Sequence, residues 1–75
     1  MMKESQKVKN SLELGKLLQK VRKSKGLSQE ELAGVSNTGV RFISDLENGK
    51  ETCELQKTLS VIKMLGIKIN LEFKQ

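Results

Sequence analysis

Two short helical blocks separated by a sharp joint constrain this chain more than any other feature. From Leu27 to Gly49 it reads Leu-Ser-Gln-Glu-Glu-Leu-Ala, then Gly-Val-Ser-Asn-Thr-Gly, then Val-Arg-Phe-Ile-Ser-Asp-Leu-Glu-Asn-Gly. Ser28 offers a capping oxygen and Glu31 follows at capping-box spacing, so a helix is predicted from Gln29. Glu30 and Glu31 place negative charge at the positive end of its dipole. Asn37 suits a left-handed turn because its short polar side chain tolerates that conformation. A second helix is predicted over Val40–Asn48, with Gly49 just past its last turn, where positive φ is needed. Ile43 and Leu46 share one face of it, toward Leu32 and Ala33, and Ala33 is small where two helices must cross. Gly34 is a departure, since a mid-helix glycine costs about 1 kcal/mol relative to alanine. Either the first block frays there or another backbone comes close.

Two short helices and one tight turn at this separation resemble the helix-turn-helix of phage-repressor and Cro-like (XRE) DNA-binding domains. The matching residues are Ser28-Gln29-Glu30-Glu31-Leu32-Ala33 and Ile43-Ser44-Asp45-Leu46-Glu47-Asn48-Gly49. Within that superfamily, the run from Arg41 to Lys50 is similar to the HipB-like antitoxins. The resemblance covers about Ser11 to Phe73. It implies a mainly α fold: a four-helix phage-repressor-like domain plus one C-terminal β-strand that pairs across a homodimer. It also implies a buried ion pair between Arg22 of the first helix and Glu47 of the Glu-Asn-Gly segment. The alternative is two unrelated surface charges.

Seventy-five residues make one domain near the lower limit for a self-sufficient core, so help from a partner subunit is expected. The net charge of +5 is uneven: residues 1–25 carry eight Lys or Arg against two Glu. Residues 26–50 net −2 and residues 51–75 net +1. The basic character therefore sits ahead of the paired blocks, which suits contacts to nucleic-acid backbone or simply a solvated face. There is no histidine and one cysteine, Cys53, so neither a disulfide framework nor a Cys/His metal site is expected, and no nucleophile–base pair can be assembled. A binding protein without cofactor or metal is expected rather than an enzyme. No apolar run approaches a membrane span, and a cytoplasmic location with no membrane partner is expected.

Taken in order, residues 1–9 read as a flexible basic arm, with Lys3, Lys7 and Lys9 either on DNA phosphates or in water. Residues 10–66 read as the DNA-binding domain. Asn10 caps its first helix with Glu13 as box partner; Leu14, Leu17, Leu18 and Val21 form the core stripe, and Gly26 ends the helix. Lys16, Lys20 and Lys23 lie off that stripe, in water or near DNA. Thr52 is expected to cap the last helix, whose apolar face is Leu55, Leu59, Ile62 and Leu65, with Gly66 as its stop. Val61 and Met64 either complete the core or meet a second subunit. Residues 67–75 change period: Ile67, Ile69, Leu71 and Phe73 alternate with polar residues as in a strand. A lone strand leaves its ladder unpaired, so residues 67–73 are expected to pair with a second copy as the dimer interface; the alternative is a disordered tail.

The contact residues follow by role. The N-terminal part of the second block would enter the major groove with Val40, Arg41 and Ser44 toward base edges and Asp45 farther along. Arg41 suits guanine and Val40 a thymine methyl, while Asp45 either accepts from a cytosine amine or repels phosphates and narrows the choice of site. Gln29, Asn48 and Lys50 would hold the DNA backbone. Phe42 packs on the last helix or the dimer seam rather than on DNA. Three functions fit these residues. One is a dimeric repressor of a palindromic double-stranded operator that is also the antitoxin of a HipA-like kinase toxin and regulates its own operon. The second is a phage, plasmid or restriction-system regulator with no toxin. The third is a pure protein-interaction module.

Overall fold

The computed structural model describes residues 5–75, which form α1 (Ser11–Ser24), α2 (Gln29–Val35), α3 (Val40–Glu47) and α4 (Leu55–Met64). Local chemistry sets most of the helix ends. Asn10 is extended, and its Oδ1 accepts from the Glu13 N–H at 2.9 Å. The Glu13 carboxylate does not return to the cap. It accepts from the N–H of Lys9 at 2.9 Å, one residue earlier. At α2 the capping box is complete: Ser28 Oγ accepts from Glu31 N–H at 3.0 Å and the Glu31 carboxylate from Ser28 N–H at 2.9 Å.

The joint between α2 and α3 turns on Asn37, at φ 56°. The Thr38 N–H donates to the Ala33 carbonyl at 2.9 Å, which satisfies an acceptor left over at the end of α2. Ser36 is buried there. Its hydroxyl donates to the Leu32 carbonyl at 2.6 Å, and its own carbonyl accepts from Ser60 Oγ of α4 at 3.1 Å. The turn is thus bonded to the last helix as well as to its neighbours. Gly34 neither frays α2 nor admits a close backbone: α2 continues through it, and a Cβ there would meet nothing within 4 Å.

The core is Leu18, Leu32, Ala33, Ile43, Leu46, Val61, Ile62 and Leu65, drawn from all four helices and the residue after the last. Leu14 and Val21 pack against it while only partly buried. Gly15 is the tightest point. A Cβ there would collide with the carbonyl oxygens of Leu46 and Glu47, so α1 touches the end of α3 through bare backbone. Ser11 Oγ adds a bond to the Gly49 carbonyl at 2.9 Å. Gly49 has φ +83° and lies so close to Leu12 that a Cβ would strike the Leu12 backbone.

Two expectations for the C-terminal third are corrected. Glu54, not Thr52, occupies the cap position of α4, without a side-chain bond, and the inward face is Thr58, Val61, Ile62 and Leu65. Leu55 lies beyond the end of the core at 68 % exposure, and Leu59 sits on its flank. Val61 is a core residue, whereas Met64 is exposed. The core accepts the stripe that meets α1 and α2, and three possible apolar stripes on one short helix did not distinguish it. The second correction concerns residues 67–75, which hold no strand; no strand occurs among the described residues. A β-ladder needs a second strand, and this chain supplies none. Ile67 is partly buried against the core, its N–H on the Ile62 carbonyl at 3.2 Å, while Ile69, Leu71 and Phe73 are exposed.

Candidate nucleic-acid interface

The orientation of α3 is fixed from its buried side. Arg22 reaches from α1 with its flat guanidinium: Nε donates to Glu47 Oε2 at 2.6 Å and Nη2 to Oε1 at 3.1 Å. Its third nitrogen, Nη1, donates to the Leu27 carbonyl at 2.8 Å, across the corner where α1 ends. A lysine could not make this set, because it presents a point charge rather than a fork. Both side chains are almost wholly enclosed, at 8 % and 2 % exposure, and no buried side-chain polar atom among the described residues lacks a partner. Burial pushes the Glu47 carboxyl up, but bonds from Arg22 and then Gln29 outweigh it and hold the group below the ordinary carboxylate range. The same bond to Glu47 raises the Arg22 guanidinium, against burial.

Gln29 belongs to this cluster, a link that the sequence did not reveal. Its Nε2 donates to Glu47 Oε1 at 3.0 Å. A primary amide carries two N–H groups, so the bond to Glu47 uses one and leaves the other. The side chain is half-buried at the first position of α2.

The opposite face of α3 is open. Val40 is 45 % exposed, Arg41 is exposed, and Ser44 and Asp45 are half-buried. On a helix, Arg41, Ser44, Asp45 and Asn48 fall on one side, about 100–200° from Ile43. Arg41 enters no ion pair among the described residues. Asn48 Nδ2 lies 3.5 Å from Ser44 Oγ, at the limit of a hydrogen bond. Lys50 Nζ stands 3.4 Å from Asp45 Oδ2, an exposed pair worth about 0–1 kcal/mol and readily exchanged for another partner. Arg41, Ser44, Asp45, Asn48 and Lys50 thus share one surface, with Val40 exposed at its edge in the first turn and Gln29 bordering it through its bond to the base of α3. The first turn of α3 carries no acidic residue, and Gly39 before it supplies no cap.

Other residues sort themselves around this surface. Phe42 packs against the core with Lys57 Nζ 5.9 Å from its ring centre. Cys53 is half-buried against the core, and burial, followed by the charge of Asp45, pushes its thiol up. Lys7, Lys9, Lys16, Lys20 and Lys23 are exposed, while Lys3 lies outside the described residues. Gly15 and Ser11, which lock α1 to the end of α3, escaped the sequence analysis; a glycine inside an apolar helix was the available signal. No helix among the described residues is long and apolar enough to cross a membrane.

A helix-turn-helix family model, HTH_3, matches residues 18–69. The HTH-type transcriptional regulator y4mF of Sinorhizobium fredii is 43 % identical over 67 residues, covering 89 % of this chain and 88 % of that protein. Human endothelial differentiation-related factor 1 is 36 % identical over 59 residues, spanning 79 % of this chain but only 40 % of that protein. Among solved structures, a HipB–O4 20mer complex superimposes with a TM-score of 0.84 at 24 % identity, covering 95 % of this chain and all of that one. A HipA–HipB–O2–O3 complex gives the same score, identity and coverage, which shows the fold. The paired helices, the turn at Asn37 and these matches place the chain in the helix-turn-helix family of the phage-repressor, Cro-like kind: it is a homologue of an HTH-type transcriptional regulator, built on the HipB fold, and not an enzyme.

Proposed function

We propose that this chain is a cytoplasmic, dimeric repressor that reads a palindromic double-stranded operator, and the antitoxin of a HipBA-like operon in which a HipA-like kinase toxin is its partner. The observation that carries the DNA half is the exposed face of α3, with Arg41 at its N-terminal end in no ion pair among the described residues and its other face locked by Arg22 and Glu47. Arg41 reads guanine through two acceptors, Val40 packs on a thymine methyl, and Ser44 and Asp45 complete base readout. Gln29, Asn48 and Lys50 hold phosphates, Gln29 with the N–H that Glu47 does not use.

The division of labour is a basic arm over residues 1–9, a DNA-binding unit over 10–66 and a segment over 67–75 that holds no strand in the single chain and would become one only by pairing with a second copy. Two features favour the strand. Leu71 and Phe73 are 88 % and 82 % exposed, apolar area that a second copy would cover. Beside them an open groove of about 340 Å³ is lined by Leu59, Ile62, Ile67 and Ile69. Each apolar side chain fully buried contributes about 1.5–3 kcal/mol, enough to decide the oligomeric state of a small domain. Paired strands would also set the two recognition helices about 34 Å apart, one turn of DNA.

The toxin half rests on the likeness to HipB, solved with HipA and DNA. The reading without a toxin is favoured by the Sinorhizobium relative, which is described only as a transcriptional regulator. Co-purification with the product of the adjacent gene, followed by mass measurement with and without promoter DNA, separates them. A two-to-two complex of chain and kinase-like protein on DNA is expected; a dimer alone on DNA leaves a plain regulator. Sedimentation of a chain lacking residues 67–75 tests the strand: a monomer is expected, and a dimer as tight as the full chain moves the seam to Met64 and its neighbours.

A further inference from the structure

The basic ridge of α1 does not share a side with α3. Gly15 and Arg22 face the end of α3, and Leu18 between them has no exposure. Lys16 and Lys20 stand two residues either side of Leu18, about 200° round the helix from it. Both are exposed. Lys16 and Lys20 therefore lie on the side of α1 turned away from its contact with the end of α3.

The segment before α1 runs alongside this ridge and encloses an open groove of about 270 Å³. Its walls carry Lys7, Lys16 and Lys20, and its apolar lining is Val8 and Leu17. Glu13 also borders it, but that carboxylate is turned to the Lys9 N–H. Leu12 adds a half-exposed apolar side chain on the same side of α1. Among the described residues, three ammonium groups stand against one carboxylate, a net positive lining that attracts anions. The apolar lining narrows the class, because a phosphate backbone gains nothing from Val8 and Leu17, whereas an amphipathic peptide gains from both parts. We infer that this groove docks an acidic amphipathic segment of another protein, its carboxylates on Lys7, Lys16 and Lys20 and an apolar side chain over Val8 and Leu17. The inference does not depend on DNA reading by α3, since the free chain presents the same groove.

The test uses the full chain and a fluorescein-labelled helical peptide of Glu, Ala and Leu with leucines on one face, followed by fluorescence anisotropy. Binding is expected to weaken about tenfold or more in the double variant Lys16→Glu/Lys20→Glu, and by less in Lys16→Gln/Lys20→Gln. Circular dichroism melts confirm that both variants keep the helices, as exposed lysines allow. A control peptide with serine in place of leucine should bind several-fold more weakly, and saturating the chain with its own promoter DNA should leave peptide affinity unchanged. Equal binding by the serine peptide would reduce the groove to a non-specific counterion surface and overturn the proposal. So would unaltered binding in the charge-reversal variant. Displacement of the peptide by DNA, with loss of DNA binding in the same variant, would assign the ridge to nucleic acid instead.

Discussion

Removing the Glu47 carboxylate tests the central joint of this domain. In Glu47→Ala three donors, Arg22 Nε, Arg22 Nη2 and Gln29 Nε2, lose their acceptor together. The guanidinium remains charged at 8 % exposure, and breaking such a buried pair from one side costs about 3–5 kcal/mol. A domain of 75 residues at about 0.05–0.15 kcal/mol per residue has about 4–11 kcal/mol to lose, so the variant gives up a large share of its stability. With a urea slope of about 1 kcal/mol/M for so small a protein, the midpoint should fall by about 3–5 M. The double variant Arg22→Met/Glu47→Leu removes both charges and fills part of their volume. It should be more stable than Glu47→Ala, and a full cycle of single and double changes should give a coupling of at least about 2 kcal/mol. Urea melts followed by circular dichroism measure all of these, at one fixed protein concentration so that any self-association contributes equally to every variant. Single effects that add to within about 0.5 kcal/mol of the double would refute the reasoning and leave Arg22 and Glu47 energetically uncoupled.

Gly15→Ala should cost about 1–3 kcal/mol or more in the same melts, because backbone carbonyls of α3 cannot yield to a methyl group. Gly34→Ala should raise stability by up to about 1 kcal/mol, since the position is helical, open and not at positive φ. Glu47 has a folded-state pKa below its unfolded value, so its contribution is complete above about pH 4.3 and is lost as pH falls through the folded value. Glu31, lowered by its bonds to Ser28, has the same sign, and an acid titration of the melts should show a flatter limb in Glu47→Gln. Arg41→Ala should weaken promoter binding by about 1–3 kcal/mol with less effect on random DNA, whereas Gln29→Ala should weaken both more evenly; equal losses for Arg41→Ala would remove it from base readout. Binding should also fall steeply with salt in gel-shift titrations, as lysines and arginines release counterions.

Where a signal is local, the sequence shows it. Asn10, Ser28, Asn37 and Gly49 each act within a few residues of themselves, and each does in the structure what its chemistry allows. The Arg22–Glu47 pair spans 25 residues and came from a family resemblance, not from spacing. What escaped was set by neighbours that sequence order does not reveal. The backbone contact at Gly15 depends on where α3 ends relative to α1. The inward stripe of α4 was misread because Leu55 and Leu59 are as apolar as Val61, and only the shape of the space left by α1 and α2 decides among them. The C-terminal alternation was clear as a pattern, but a strand is a property of two segments and this chain holds one.

Glu47 joins the two halves of the molecule. A buried ion pair contributes less to stability than an apolar replacement can, because desolvation offsets most of its Coulomb gain. Its use here is geometric. Arg22 fixes the end of α3 against α1 at a point where Gly15 lets the backbones touch, so the helix has one seat. The same carboxylate fixes the Gln29 amide at the start of α2. The carboxylate thus ties α2's first residue to the helix that carries the open face, in addition to the shared core of Leu32, Ala33, Ile43 and Leu46. The turn between the two helices, bonded through Ser36 to both Leu32 and Ser60, holds the other end of the same corner. A surface that must match a fixed groove gains from being held at both ends, and the polar atoms that hold it are all satisfied from inside the domain.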